Sequence, residues 1–224
     1  FFLRLGNGLT RPRNTIPGSD IAGTVISVGD AVPNVAVGEA VVADLSDLGR
    51  GGLSEYVTIP SDRAVGIPET VDFDTAASLP TAGVTAYQAL KTVAHLAPGE
   101  RILIDGASGG VGSFAIQIAR IIGAEVTAVV GPRNVATGRS LGASRVIDYS
   151  SEDLIEAVSE KDSGIFDVIY AVNGHRSLSE YQRVLSPDGR FVMTGGSGSL
   201  MFQTMLGGRR FHFHTMKPNR ADLE

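Results

Sequence analysis

The chain has 224 residues, 43% of them hydrophobic and 19% charged, which is enough apolar sequence to bury the core of one large domain or two modest ones. A net charge of −5 with no basic stripe argues against a nucleic-acid partner, and the absence of cysteine removes disulfides, Cys-ligated zinc and thiol nucleophiles together. No apolar run is long enough to cross a bilayer, so a membrane-free, cytoplasmic protein is expected.

The chain opens in an apolar run, Phe1-Phe2-Leu3, and stops at Ala221-Asp222-Leu223-Glu224, which resembles the first turn of a helix with acids near its positive end. These ends read as those of an internal fragment. Residues 21–28, 40–43 and 53–59 are short runs rich in Val and Ile, separated by turn clusters such as Gly29-Asp30, Pro33-Asn34 and Gly49-Arg50-Gly51-Gly52. No helical period appears there, so residues 1–71 predict a Gly-rich, mainly antiparallel β domain.

From Asp72 onward the pattern alternates. Residues 72–79 and 84–94 have helical spacing, with Pro80 as a break between them. Strands are then predicted at 101–105, 125–130, 145–148, 166–171 and 189–194, and helices at 110–122, 134–141, 151–160 and 177–185. Apolar strands alternating with helices of this length predict an α/β fold, a doubly wound parallel sheet covered on both faces. This second domain is expected over residues 72–208. Residues 211–216 read as one more strand, within a segment, 209–224, expected to leave this sheet.

The strongest local signal is Ile102-Leu103-Ile104-Asp105-Gly106-Ala107-Ser108-Gly109-Gly110-Val111-Gly112. A buried strand makes a tight Gly turn and opens a helix. Gly109 lacks a Cβ, so a pyrophosphate can approach the backbone, and Gly112 lets the helix pack close to the strand. The helix start offers free N–H groups and a partial positive charge to phosphate oxygens. The spacing is Gly106-x-x-Gly109-x-x-Gly112, because Ala107 stands where the G-x-G-x-x-G pattern has its first glycine.

The end of the next strand bears on which nucleotide. An NAD site places an acid about 20 residues beyond the glycines, to hold the ribose 2′-hydroxyl. Here that place reads Val130-Gly131-Pro132-Arg133-Asn134, with no acid. A carboxylate would repel a 2′-phosphate and Arg133 can pair with one, so the expected cofactor is NADPH.

Longer stretches now carry a resemblance. Ile16-Pro17-Gly18-Ser19-Asp20-Ile21-Ala22-Gly23-Thr24-Val25, Gly38-Glu39-Ala40-Val41, Gly52-Leu53-Ser54-Glu55-Tyr56-Val57 and Leu79-Pro80-Thr81-Ala82-Gly83-Val84-Thr85-Ala86-Tyr87 resemble medium-chain dehydrogenases/reductases. So do the glycine turn, Ser140-Leu141-Gly142-Ala143 and Val146-Ile147-Asp148-Tyr149. The subgroup resembled is the quinone oxidoreductases and zinc-type alcohol dehydrogenase homologues. The resemblance implies a partial GroES-like substrate domain followed by a Rossmann domain, with a last segment returning to the first domain. It implies hydride transfer from NADPH to a small-molecule quinone, enone or related carbonyl compound, and a homodimer through the Rossmann edge.

Carried over residue by residue, the resemblance puts the pyrophosphate on Ser108, Gly109, Gly110 and Val111. It puts the 2′-phosphate on Arg133 and Asn134, the adenosine ribose by Tyr149, and Thr85 on a helix facing the cofactor. Asn173 and Gly195 end the fourth and fifth strands, where ligands collect in open parallel sheets. Zinc-dependent members of the family resembled carry a His after the Pro-Gly turn, then a Glu, an earlier Cys and a cluster of four Cys. This chain reads Gly18-Ser19-Asp20 and has no Cys, so no metal is expected. His212-x-His214, without further ligands nearby, reads as ordinary strand histidines. No catalytic residue can be named for the charge developing on the substrate oxygen.

Two rival readings need weighing. Gly106-Ala107-Ser108-Gly109-Gly110 also satisfies the G-x-S-x-G elbow of a serine hydrolase, with Asp167 and His175 downstream as partners. Against it stand the β-rich upstream region and the extra glycine, Gly112. The other reading is a protein that binds NADPH without turning it over.

Overall fold

The structure, a computed structural model, describes residues 15–159 and 166–224; the expected apolar opening and the end of the 151–160 helix lie outside them. The chain divides into two compact units, one ending at Val84 and rejoined by Lys217–Glu224, the other spanning Thr85–Met216.

In the first unit, β1 (Asp20–Thr24), β2 (Ala40–Asp44) and β3 (Val65–Gly66) form an antiparallel sheet in that order. Val42 and Val65 pack with Ala76 of α1 (Phe73–Ala77) into a small core. Asp72 caps α1, accepting the Thr75 amide at 2.7 Å. Pro80 does not end a helix but starts one, α2 (Pro80–Tyr87), which continues into a π-helical turn, Gln88–Val93. A helix's first residue needs no N–H, and Asp20 Oδ1 accepts the next amide, Thr81, at 2.6 Å.

Two expected strands differ. The first ends at Thr24 rather than residue 28, with only Val25 still paired, through Glu39 O and Gly38 N. Residues 53–59 form no strand, and Leu53 and Tyr56 are exposed. A β-rich run becomes a strand only where its amides meet a ladder partner. Among the described residues, this segment's start is tied by two bonds to the 17–18 segment, Gly52 N to Gly18 O and Leu53 N to Pro17 O, and then turns through Ser54 N to Gly51 O, without a ladder along 55–59.

The second unit is built on a six-stranded sheet. Its strands are β4 (Arg101–Asp105), β5 (Glu125–Val130), β6 (Arg145–Asp148), β7 (Phe166–Ala171), β8 (Leu185–Met193) and β9 (Phe211–Phe213). Their order is β6-β5-β4-β7-β8-β9, and every pair is parallel. The connecting helices are α3 (Gly110–Ile122), α4 (Val135–Ser140), α5 (Leu154–Ser159), α6 (Leu178–Val184) and α7 (Gly198–Leu206). A four-residue helix, α8 (Arg220–Leu223), ends the first unit.

Period-two alternation explains both covered faces. Ile102, Ile104, Val126, Ala128, Val168 and Tyr170 point to one side, against Ala115, Ile116 and Ala119 of α3. Leu103, Val129, Ile147, Ile169 and Phe191 point to the other, against Leu154 of α5, Tyr181 of α6 and Leu200 of α7.

Several boundaries shift for local reasons. α5 begins at Leu154 because Asp153 Oδ1 accepts the amides of Ile155 and Glu156. β8 begins at Leu185, paired with Phe166, and the register then jumps to Arg190 opposite Val168. Pro187, which has no N–H to give a ladder, lies inside that irregularity. The segment 211–216 was expected to leave this sheet; instead Phe211–Phe213 pairs with β8 as its sixth strand.

Ile104 is fully buried, whereas Ile121 on α3 is 83% exposed. Ile104→Ala should lower unfolding free energy by about 2–5 kcal/mol, and Ile121→Ala should change it by less than about 0.5 kcal/mol. Urea denaturation followed by circular dichroism measures both, and equal losses would contradict the assigned faces.

Candidate dinucleotide site

The sheet order reverses between β4 and β7, and the glycine turn lies at that switch point. Gly106 has φ +83°, a left-handed conformation that favours glycine. A Cβ there would also lie 3.1 Å from the Asn173 amide nitrogen, so the turn and the segment after β7 touch directly. The Ala107 amide donates to Val129 O at 3.1 Å, tying the turn to β5.

The two later glycines do different work. A Cβ on Gly112 would lie 2.4 Å from Gly106 O and 2.6 Å from the Ala107 Cα, so any side chain would push α3 off the turn. A Cβ on Gly109 would meet only Gly106 O, at 3.8 Å, so the space beside it is open. Gly109 is the N-cap of α3, and no side chain caps that helix. The first internal acceptance is Ser113 N to Gly109 O, at 2.8 Å. Thirteen residues of helix therefore begin with amides left over for an acceptor from outside. Ser108, Gly109 and Gly110 are exposed and Val111 is half-buried.

A second cluster forms at the ends of β5 and β6. Gly131 is buried beneath Tyr149, whose Oη would lie 2.9 Å from a Cβ at that position. The Tyr149 amide donates to Val130 O at 3.1 Å, and the ring stays 61% exposed. Pro132–Asn134 forms a 3-10 turn ahead of α4. Arg133 is exposed on it and makes no ion pair among the described residues. Asn134 is half-buried, and its side chain does not cap α4.

The third cluster closes the far side. Gly174 and Gly196 form a parallel bridge beyond β7 and β8, and the Gly174 amide donates to Gly195 O at 3.1 Å. Gly195 has no room for a side chain, since its Cβ would lie 2.9 Å from Val172 O. Asn173 is exposed and its amide group pairs with His175 Nε2 at 3.1 Å. Below, burial pushes the Tyr170 phenol up, and its hydroxyl pairs with Thr194 Oγ1 at 2.8 Å.

Nine of the ten residues singled out from the sequence thus lie at the carboxyl ends of the strands. The tenth, Thr85, is buried on α2 at 3% exposure. Sequence reasoning missed Asp105, which follows three fully buried apolar residues. An acid closing so apolar a strand is a legible signal, but its partners are not local.

The hydrolase reading fails on geometry. Asp167 Oδ2 accepts the Arg101 amide at the amino ends of the strands, opposite Ser108. His175 pairs with Asn173, and Ser108 makes no hydrogen bond among the described residues. A separate cavity of about 610 Å³ lies in the first unit, lined by Ile21, Val25, Tyr56 and Ile59 among others. It contains none of the ten residues. Among the described residues no three His, Asp or Glu side chains cluster as metal ligands.

A parallel sheet of this order, with a glycine turn opening an uncapped helix at the switch point, defines a Rossmann-type α/β domain. Two family models match the chain: the alcohol dehydrogenase GroES-like domain over residues 3–69 and the zinc-binding dehydrogenase family over residues 110–215. The chain belongs to the medium-chain dehydrogenase/reductase superfamily and is quinone oxidoreductase-like. It is 39% identical over 189 residues to a chloroplast envelope quinone oxidoreductase homolog of Arabidopsis thaliana, covering 82% of this chain and 57% of that protein. The quinone oxidoreductase of Coxiella burnetii superimposes with TM-score 0.83 at 29% identity, over 100% of this chain and 69% of that one. The Escherichia coli quinone oxidoreductase complexed with NADPH gives TM-score 0.80 at 27% identity, over 100% and 72%. The chain spans between about half and three-fifths of the length of the chloroplast quinone oxidoreductase relatives it matches.

The two glycines should separate in stability. Gly112→Ala should cost about 1–3 kcal/mol by forcing α3 away from the turn. Gly109→Ala, at φ −79° and ψ 174°, should be neutral or slightly stabilising. Thermal unfolding of the two variants checks this, and a larger loss for Gly109→Ala would contradict the geometry.

Proposed function

We propose that the chain forms the cofactor-binding core of a zinc-independent, NADPH-dependent oxidoreductase that reduces a quinone, an enone or a related carbonyl compound. The observation that carries this is the uncapped start of α3 beside an open Gly109. That cradle suits a pyrophosphate, with Ser108, Gly109, Gly110 and Val111 around it. Arg133 has no competing ion pair among the described residues and suits a 2′-phosphate, with Asn134 beside it. Tyr149 would cover the adenosine ribose, and Asn173 and Gly195 would border the crevice. Thr85 would support the cofactor from α2.

When bound, the nicotinamide supplies the hydride. The chain's own residues bind and orient the dinucleotide from the strand ends. A quinone is itself a conjugated enone, so one hydride-accepting carbon chemistry covers both substrate classes. Zinc independence rests on Ser19 and Asp20 where the zinc-dependent pattern has His and Glu, and on the lack of any cysteine.

A homodimer is the proposed assembly. On α7, Phe202, Met205 and Leu206 are 64%, 68% and 71% exposed, and Phe213 of the edge strand β9 is 39% exposed. Apolar exposure beside an open sheet edge suits a second copy. Phe202→Asp combined with Leu206→Asp should halve the mass seen by light scattering; an already monomeric wild type would contradict it.

Cofactor choice is tested at Arg133. Arg133→Asp should raise the NADPH dissociation constant roughly 10- to 100-fold and leave NADH within about twofold. Gly109→Ala should weaken both. Calorimetry, followed by cofactor oxidation against quinones, enones and aldehydes, checks these. Equal effects of Arg133→Asp on both nucleotides would remove its role, and binding without turnover would favour a non-catalytic protein.

A further inference from the structure

Three polar side chains from separate elements converge behind the glycine turn. Asp105 is the last residue of β4 and directly precedes Gly106. Its side chain is 14% exposed. Its Oδ2 accepts a 2.6 Å hydrogen bond from Tyr181 Oη and lies 3.8 Å from Arg176 Nε. Arg176 also reaches Asp153 Oδ2, 3.6 Å from Nη1. Tyr181 is fully buried on α6, and burial, then the Asp105 carboxylate, pushes its phenol up, so it stays a donor.

A carboxylate is an expensive residue for this place. It is largely withdrawn from water, and it carries the sign of the phosphates that the adjoining turn is proposed to hold. A plain packing role would be met more cheaply by an apolar residue, as at the three positions before it. What the carboxylate provides is a polar link across the switch point. The Val172 amide donates to Asp105 O at 2.9 Å, and the Asn173 nitrogen lies 3.1 Å from the Cβ position of Gly106. On the other side, Tyr181 Oη lies 3.3 Å from the Cβ position of Gly174. The segment 172–174 is thus held between the glycine turn and the Tyr181 hydroxyl.

We propose that Asp105, Tyr181 and Arg176 are positioning residues for the dinucleotide, an inference that rests on the function proposed above. Tyr181 and Asp105 fix the spacing between the phosphate turn and the 172–174 segment, and Arg176 offsets the Asp105 charge so that the pyrophosphate does not face an uncompensated carboxylate. None of the three needs to touch the cofactor. Asp153 is 48% exposed and holds Arg176 from its outer side.

A double-mutant cycle at two salt concentrations tests this. Arg176→Gln removes the charge and keeps most of the packing, so Asp105 is left uncompensated. NADPH binding, measured by calorimetry in dilute buffer, should weaken roughly 5- to 20-fold, and the loss should shrink in 0.5 M salt. Asp105→Asn, in which the side-chain oxygen still accepts from Tyr181, should restore affinity to within about twofold in the Arg176→Gln background. Arg176→Lys should stay near wild type. Tyr181→Phe should weaken NADPH and free ADP-ribose alike. Thermal melting of each variant separates these effects from general loss of stability. An Arg176→Gln loss that persists unchanged with Asp105→Asn present, or that ignores salt, overturns the inference while leaving the function standing. Wild-type protein that fails to bind NADPH overturns both.

Discussion

The approach of α3 to the turn before it is the constraint on which the rest depends. With no side chain at Gly112, the helix backbone sits where a Cβ would be 2.4 Å from Gly106 O. That closeness aims the helix start at the carboxyl edge of the sheet, where Gly109 at the N-cap has no side chain to cap it. Uncapped amides at a helix start gain by meeting an anion. The left-handed Gly106 turns the chain sharply enough for this to occur within five residues of the end of β4.

Around that point the second unit separates stability from chemistry. The strand interiors are mostly apolar and buried on both faces, and their carboxyl ends carry polar groups and glycines. Asp105, Gly131, Tyr149, Asn173, Thr194 and Gly195 all stand where the backbone leaves its ladder. Of these, Tyr149 and Asn173 are held by a rigid sheet yet exposed, the arrangement a binding site needs. Asp105 is the group in which the two meet, since its partners lie inside the fold and its next residue lies in the turn.

The parallel sheet was largely legible in the sequence. The bounds of β4, β5, β6 and β7 coincide with those expected, because strands covered on both faces are mostly apolar inside and Asp105, Gly131, Asp148 and Asn173 stand at or within two residues of their ends. The first unit was harder to read. Residues 53–59 have a strand's composition but lack a ladder among the described residues, and a strand is defined by its partner. Pro80 does mark a break between two helices, but that it opens the second one depends on Asp20, 61 residues away from the amide it accepts. The glycine turn was legible because its chemistry is local. The Tyr181–Asp105 bond spans 76 residues and left no motif. Arg133 and Tyr149 could be placed by the end of one strand and the family pattern, but the packing of Tyr149 over Gly131 needed the fold.

In the proposed function, the amides opening α3 hold the linked phosphates of a dinucleotide. Proton–nitrogen correlation spectra recorded during titration with NADPH, and separately with ADP-ribose, test it most directly. The amide signals of Gly109, Gly110 and Val111 should move among the furthest in the chain, and both ligands should move them alike. Signals that stay in place while the protein is saturated would contradict it.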